Sequence, residues 1–279
     1  MKPLTLGYSP CPNDTHIFYP LIHGRIDSRG LRFRERLEDV ETLNQLALTG
    51  TLDVSKVSCH AAGLILDEYC ILRSGGAFGR GCGPLVVSRG HIDMASLKGK
   101  RVALPGRYTT ASLLFQIYGP GDLETLFMPF HEIMGAVSRG EADAGVIIHE
   151  SRFTFASYGL KNIMDLGVCW ESETGYPIPL GCIVARRSLG ENLLSGIDRA
   201  LRESVAYAGS DPDEALAYIR RHAYEMSDEV CAAHIRLYVN DFSLDLGPEG
   251  MAALTALLAR AAAKGLAPES VKKIFYQPE

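Results

Sequence analysis

The residue with the clearest chemical setting is His149. In "AGVIIHESRFTF", Ala144 to Phe155, a compact apolar run stops at that histidine, and Glu150, Ser151 and Arg152 follow at once. Imidazole is the side chain whose unperturbed pKa lies nearest neutrality, so it accepts a proton with little tuning. A histidine inside an element is usually a satisfied core group. One at the carboxyl end of a buried strand faces the cleft beyond that strand. His149 is therefore a candidate general base, with a structural histidine as the competing reading. Glu150 or Arg152 can orient its ring, pair with the other, or face solvent.

Three further stretches place polar groups where a strand gives way to a helix. In "YSPCPNDTHIF", Ser9, Asn13 and Asp14 can face a ligand or simply cap a helix. In "SKVSCH", Lys56 and Ser58 close a buried strand; Ser58 can bond a carboxylate or cap the helix that follows, and His60 reads as an ordinary core or surface histidine. In "PGRYTTAS", Thr109 and Thr110 open a helix, and two adjacent hydroxyls with the first-turn N–H groups make a cradle for a carboxylate or phosphate. Neither a phosphate-binding G-x-x-x-x-G-K-[ST] loop nor a dinucleotide-binding G-x-G-x-x-G turn is present. No H-E-x-x-H occurs, and the eight histidines show no metal-ligand spacing. The expectation is acid–base chemistry on a small anionic molecule, with no metal and no cofactor.

These residues need a scaffold, and the hydrophobic pattern supplies an α/β one. Strands are predicted at "LTLGYS", "LRFRERLED", "LDVSKVS", "GPLVVSR", "KRVALPG", "LETLFMP", "AGVIIH" and within "YPIPLGCIVARRSL". Helices are predicted at 14–24, kinked or shortened by Pro20, then after a cap at Asp39, at "AAGLILDEY", "TTASLLFQIYG", "EIMGAVSRGE" and "ESRFTFASYG". Such alternation predicts mostly parallel sheets. Two extended crossings, near 72–90 and 176–187, divide the chain into two lobes. Lobe 1 is residues 1–84 with 187–279, and lobe 2 is 85–186, with the ligand cleft between them. The chain then turns helical: "ENLLSGIDRALRESVAYAGS", "PDEALAYIRRHAYEM", "SDEVCAAHIRLYV" capped by Ser227, and "EGMAALTALLARAAAKG".

Composition narrows the partners. At 47% hydrophobic and 22% charged residues the chain builds a real core, and its net charge of −5 with no basic run disfavours nucleic acid and anionic membrane. No apolar window approaches a membrane span or a signal-peptide core, which predicts a cytoplasmic protein. The seven cysteines form no C-x-x-C pair and read as small buried apolar groups.

Taken together, "GYSPCPNDTHIFYPLIHGR", "LEDVETLNQLAL", "RSGGAFGRGCGPLVV", "LPGRYTTAS", "GVIIHESRFTF", "YPIPLG" and "YVNDFSLDLG" resemble the 1,4-dihydroxy-6-naphthoate synthase family of the futalosine route to menaquinone. The resemblance runs nearly end to end. It implies a fold like the type-2 periplasmic binding proteins and a cofactor-independent carbon–carbon lyase acting on cyclic dehypoxanthine futalosine. It also implies His149 as general base, with Lys56, Val57 and Ser58 and the pair Thr109 and Thr110 in substrate-binding stretches. Two alternatives share the scaffold: a chorismate dehydratase-like enzyme of the same pathway, and a binding protein for small carboxylates without catalysis.

Overall fold

A computed structural model describes residues 2–224, 227–269 and 273–277. The chain opens with β1 (Leu4–Tyr8), α1 (Pro12–Ile22), β2 (Phe33–Leu37), α2 (Val40–Leu48), β3 (Val54–Ser58), α3 (Cys59–Leu64), β4 (Tyr69–Ile71) and β5 (Ala77–Gly79). It continues with β6 (Leu85–Ser88), β7 (Arg101–Leu104), α4 (Thr110–Tyr118), β8 (Glu124–Phe127), α5 (Phe130–Arg139) and β9 (Ala144–Ile147). Next come α6 (Ser151–Thr154), β10 (Lys161–Asp165), α7 (Leu166–Thr174) and β11 (Ile178–Arg186). Helices α8 (Glu191–Ser210), α9 (Leu216–His222), α10 (Asp228–Tyr238), α11 (Asp241–Leu244) and α12 (Gly247–Ala263) complete it. Glu225 and Met226, the end of one expected helix, lie outside the described residues.

The strands form two sheets, one per lobe. The first runs β2-β1-β3-β11-β4, with β5 alongside β11; the second runs β10-β6-β9-β7-β8. Both are mixed rather than mostly parallel. β1 pairs parallel with β2 and β3, and β7 parallel with β8 and β9. β11 lies antiparallel to β3, β4 and β5, and β6 antiparallel to β9 and β10. The antiparallel members include the strands by which the chain enters the second lobe and returns to the first, so they run against the βα units around them. The two crossings also pair with each other, through Ile178 with Gly79 and Pro179 with Phe78. Because β11 pairs in the first sheet from Ile178 to Arg186, the return by sheet membership is complete before Ile178, not at residue 187.

β9 occupies the middle of its sheet with all four residues buried, as its apolar run predicts. Gly145 lets α5 lie directly on it: a Cβ there would stand 2.5 Å from the Ile133 side chain. One core cluster joins Val57, Phe78, Val86, Leu113 and Trp170 across the lobes. Two smaller ones fill one lobe each, around Leu6, Phe18 and Ile197 in the first and around Leu85, Ile133 and Ile147 in the second.

Helix α1 runs through Pro20 to Ile22, and the break expected there is repaired from outside. Fully buried Ser204 of α8 accepts the Leu21 N–H (3.0 Å) and donates to the Ile17 carbonyl (2.6 Å), bridging the groups that the ring of Pro20 separates. α1 also begins at Pro12 rather than residue 14, since proline suits the first turn of a helix. The Asp39 and Ser227 caps form as read, the first accepting from the N–H of Glu41 and Thr42, the second from Val230. The helix expected at "ESRFTFASYG" is only one turn, Ser151–Thr154, followed by a short 3-10 turn. Six cysteines are buried as expected and Cys169 is half-buried.

Candidate active site

A cavity opens between the lobes at the carboxyl ends of β1, β3 and β9. His149, Ser9, Asn13, Asp14, Lys56, Val57, Ser58, Thr109 and Thr110 all line it, so the nine residues singled out in the sequence meet in one place. Val40, Ala77, Pro84, Ile148, Leu180 and Tyr238 supply much of the apolar remainder.

At its base lies a buried ion pair. Lys56 Nζ stands 3.1 Å from Asp14 Oδ1 and donates to the Gly75 carbonyl at 2.7 Å. Asp14 Oδ2 accepts from the Ser9 hydroxyl (2.7 Å) and amide (3.2 Å), while Oδ1 accepts from Asn13 Nδ2 at 2.9 Å. Asp14 is thus committed as the counter-ion of Lys56, and Ser9 and Asn13 serve it first. An ammonium has three N–H bonds, and two of those on Lys56 are engaged, which leaves one for a ligand.

Ser58 caps no helix with its side chain. Asn44 of α2, fully buried, donates to its hydroxyl oxygen (3.1 Å) and accepts its amide (2.9 Å), so the hydroxyl proton stays available to a ligand. Thr109 does cap α4, accepting the Ser112 amide, and Thr110 spans the lobes by donating to the Leu180 carbonyl at 2.6 Å. The expected cradle therefore shifts from hydroxyls to backbone. Among the described residues the amides of Thr110 and Ala111 make no hydrogen bond, and both belong to the first turn of α4, where anions are favoured.

His149 follows β9 by two residues, with φ at +56°. Histidine is among the few non-glycine residues that enter this left-handed region, and the turn ends the strand and carries the imidazole to the cavity wall. The ring meets Phe130 edge-on (centroids 4.8 Å) and lies near-parallel to His234 (6.0 Å, 27°). Among the described residues neither of its nitrogens is hydrogen-bonded, so packing rather than a carboxylate sets its orientation. Desolvation by these surroundings lowers its pKa to about 4, with the charge of Asp14 acting the other way. The imidazole is neutral near pH 7 and has a lone pair to offer. Arg152 does not touch it: the guanidinium donates to the Gly83 carbonyl (2.6 Å) and pairs with Asp165 (2.7 Å). Glu150 is buried, one oxygen 3.9 Å from His234 Nδ1.

Sequence reading missed Asn44, Phe130, His234 and Tyr238. His234 Nε2 bonds Asn13 Oδ1 at 2.8 Å across 221 residues. Its signal was slight: it shares a helix face with Cys231 and Tyr238, three residues before and four after, which reads as core. It also missed Glu41, whose carboxylate reaches from α2 across the cleft to accept the amides of Arg107 (2.9 Å) and Tyr108 (3.1 Å). Gly106, at φ +134°, makes room for it, since a Cβ there would stand 2.5 Å from that carboxyl.

Residues 4–263 match a family described as menaquinone biosynthesis. The chain belongs to that family. A Thermus thermophilus protein called "1,4-dihydroxy-6-naphtoate synthase" is 53% identical over 99% of this chain and 100% of its own length. A Streptomyces coelicolor protein of the same name is 48% identical over 95% of each. A solved structure from Archaeoglobus fulgidus shares 40% identity at a TM-score of 0.89, covering 94% of this chain and 98% of that one. At 14% identity, the alkanesulfonate-binding protein of Xanthomonas axonopodis pv. citri, bound to MOPS, matches with a TM-score of 0.71 over 96% and 95% of the two chains. The fold is thus that of the two-lobed periplasmic binding proteins, and membership of the menaquinone-biosynthesis family makes the chain a lyase-type enzyme.

Proposed function

We propose that this menaquinone-biosynthesis enzyme converts cyclic dehypoxanthine futalosine to 1,4-dihydroxy-6-naphthoate, with His149 as general base. The observation that carries the reading is a neutral imidazole on the wall of an interlobe cavity that also holds Lys56, Ser58 and the free amides of α4. The names of the two relatives support the substrate, and the sulfonate ligands of the fold neighbours support an anionic one.

The substrate carboxylate docks on the Thr110 and Ala111 amides with Lys56 and Ser58 beside it. His149 removes a proton from the sugar-derived part, the spiro ring opens, and a retro-aldol-type cleavage releases a three-carbon fragment. Aromatisation of the second ring makes the sequence downhill. The carboxylate and Asp14 both favour the imidazolium as it forms, offsetting the desolvation that lowers the resting pKa. Holding base and carbon acid about 3 Å apart in a closed cleft excludes water from the opened intermediate. Such a biosynthetic step belongs in the cytoplasm.

The test is incubation of purified protein with cyclic dehypoxanthine futalosine, following the naphthoate by absorbance and mass. Its appearance is the expected result. Substrate returned intact would favour the binding-protein reading, and turnover of chorismate instead would favour the dehydratase.

A further inference from the structure

We propose that Cys11, His149 and Glu150 form a binding site for a thiophilic divalent cation of the zinc class, and that the ion occupying it inhibits the enzyme. One donor atom from each residue, the Cys11 Sγ, a ring nitrogen of His149 and a carboxylate oxygen of Glu150, lies within 4.8 Å of the other two. Bonds of about 2.0–2.3 Å to a tetrahedral ion need donors somewhat under 4 Å apart, so small side-chain shifts close the set. The chemistry of the donors selects the metal. Sulfur with nitrogen and one carboxylate suits zinc, whereas calcium and magnesium take oxygen.

A further donor lies next to Glu150, outside the spacing that the other three share. His234 is fully buried, its Nδ1 has no hydrogen-bond partner among the described residues, and it lies 3.9 Å from Glu150 Oε2. Its other nitrogen donates to Asn13 Oδ1, whose amide is fixed in turn by donating to Asp14. That outer hydrogen bond holds the proton on Nε2 and leaves the Nδ1 lone pair for a metal, the arrangement that supports histidine ligands generally. Cys11 precedes α1 in the first lobe, while His149 and Glu150 follow β9 in the second. The ion would therefore staple the cleft shut. On binding, the Cys11 thiol gives its proton to solvent, the metal–sulfur bond forms, and the His149 lone pair becomes a metal bond, with no change of oxidation state. The inhibitory half of the proposal rests on His149 being the base.

The experiment uses the full chain in a Cys169→Ser background, which removes the one cysteine that is not buried. After chelator treatment it is titrated with ZnCl2 by calorimetry and with CoCl2 by absorbance, and turnover is measured in parallel. The expected result is one tight equivalent, a thiolate-to-cobalt charge-transfer band, and inhibition that substrate relieves competitively. Cys11→Ser, which alters no residue lining the cavity, should keep turnover within about twofold, lose the band, and need at least tenfold more zinc for inhibition. Cys11→Ala and Glu150→Gln serve if that variant fails to fold. No stoichiometric binding, or a band that survives in every Cys11 variant, overturns the site and leaves His149's catalytic role standing. Stoichiometric binding through Cys11 that leaves turnover unchanged overturns the inhibition and counts against His149 as the base.

Discussion

His149 and Lys56 solve opposite problems in one cavity. The imidazole stays neutral because its surroundings desolvate it, while the buried Lys56 ammonium lies 3.1 Å from Asp14, which is itself held by Ser9 and Asn13. Removing one partner of such a pair strands the other charge in the interior, at about 3–5 kcal/mol. Asp14→Ala should therefore lower the unfolding free energy by roughly that amount in urea melts, and Asp14→Ala combined with Lys56→Met should recover much of it. Equal losses in the single and double variants would show that the pair is not what stabilises the site. The sequence displayed all these residue types at strand ends, since strand-to-helix junctions are local patterns. It could not show that Asp14 serves Lys56 or that His234 backs His149, because those contacts join positions 42 and 85 residues apart.

Between elements, the N-terminus of α2 acts as a clasp. Glu41 reaches the loop before α4, and Asn44, one turn along, holds Ser58, so a single helix couples the cleft's edge to its floor. Its two charge-assisted bonds to backbone amides, partly exposed to solvent, are worth about 1 kcal/mol to the closed arrangement. Glu41→Ala should raise KM about fivefold with little loss of kcat and enlarge the radius of gyration in solution scattering, while Glu41→Gln, which keeps one acceptor, should do less. Unchanged KM and dimensions in Glu41→Ala would dismiss the clasp. The periodicity that revealed α2 and its Asp39 cap said nothing of Glu41, which reads as an ordinary first-turn acid. The sheets were misread as mostly parallel for a related reason: strand direction at the crossings depends on where the chain goes next, which hydrophobic alternation does not encode.

Across the protein, two buried histidines that do not line the cavity tie stability to pH. Burial lowers the pKa of His16 to about 4 and that of His60 below its usual value. In the unfolded chain both take a proton near pH 6.5. Between there and about pH 4 the unfolded state binds more protons, so stability is full above that window and falls as pH drops through it. Each such histidine contributes up to about 1.4 kcal/mol per pH unit to the loss. Urea midpoints should drop clearly from pH 7 to pH 5, and an unchanged midpoint would show that these histidines do not couple protonation to unfolding. The two-lobed plan itself was readable, because glycine- and proline-flanked strands interrupt the βα rhythm twice. That the two interruptions pair with each other as β5 and β11 was not, since the register between distant strands is fixed only by the folded sheet.

In the proposed mechanism, His149 moves the proton. The most direct measurement compares turnover and substrate affinity in the wild type and His149→Asn. Turnover lower by two to four powers of ten with affinity nearly unchanged is the predicted result. Affinity lost while turnover at saturation persists would make His149 a binding residue and not the base.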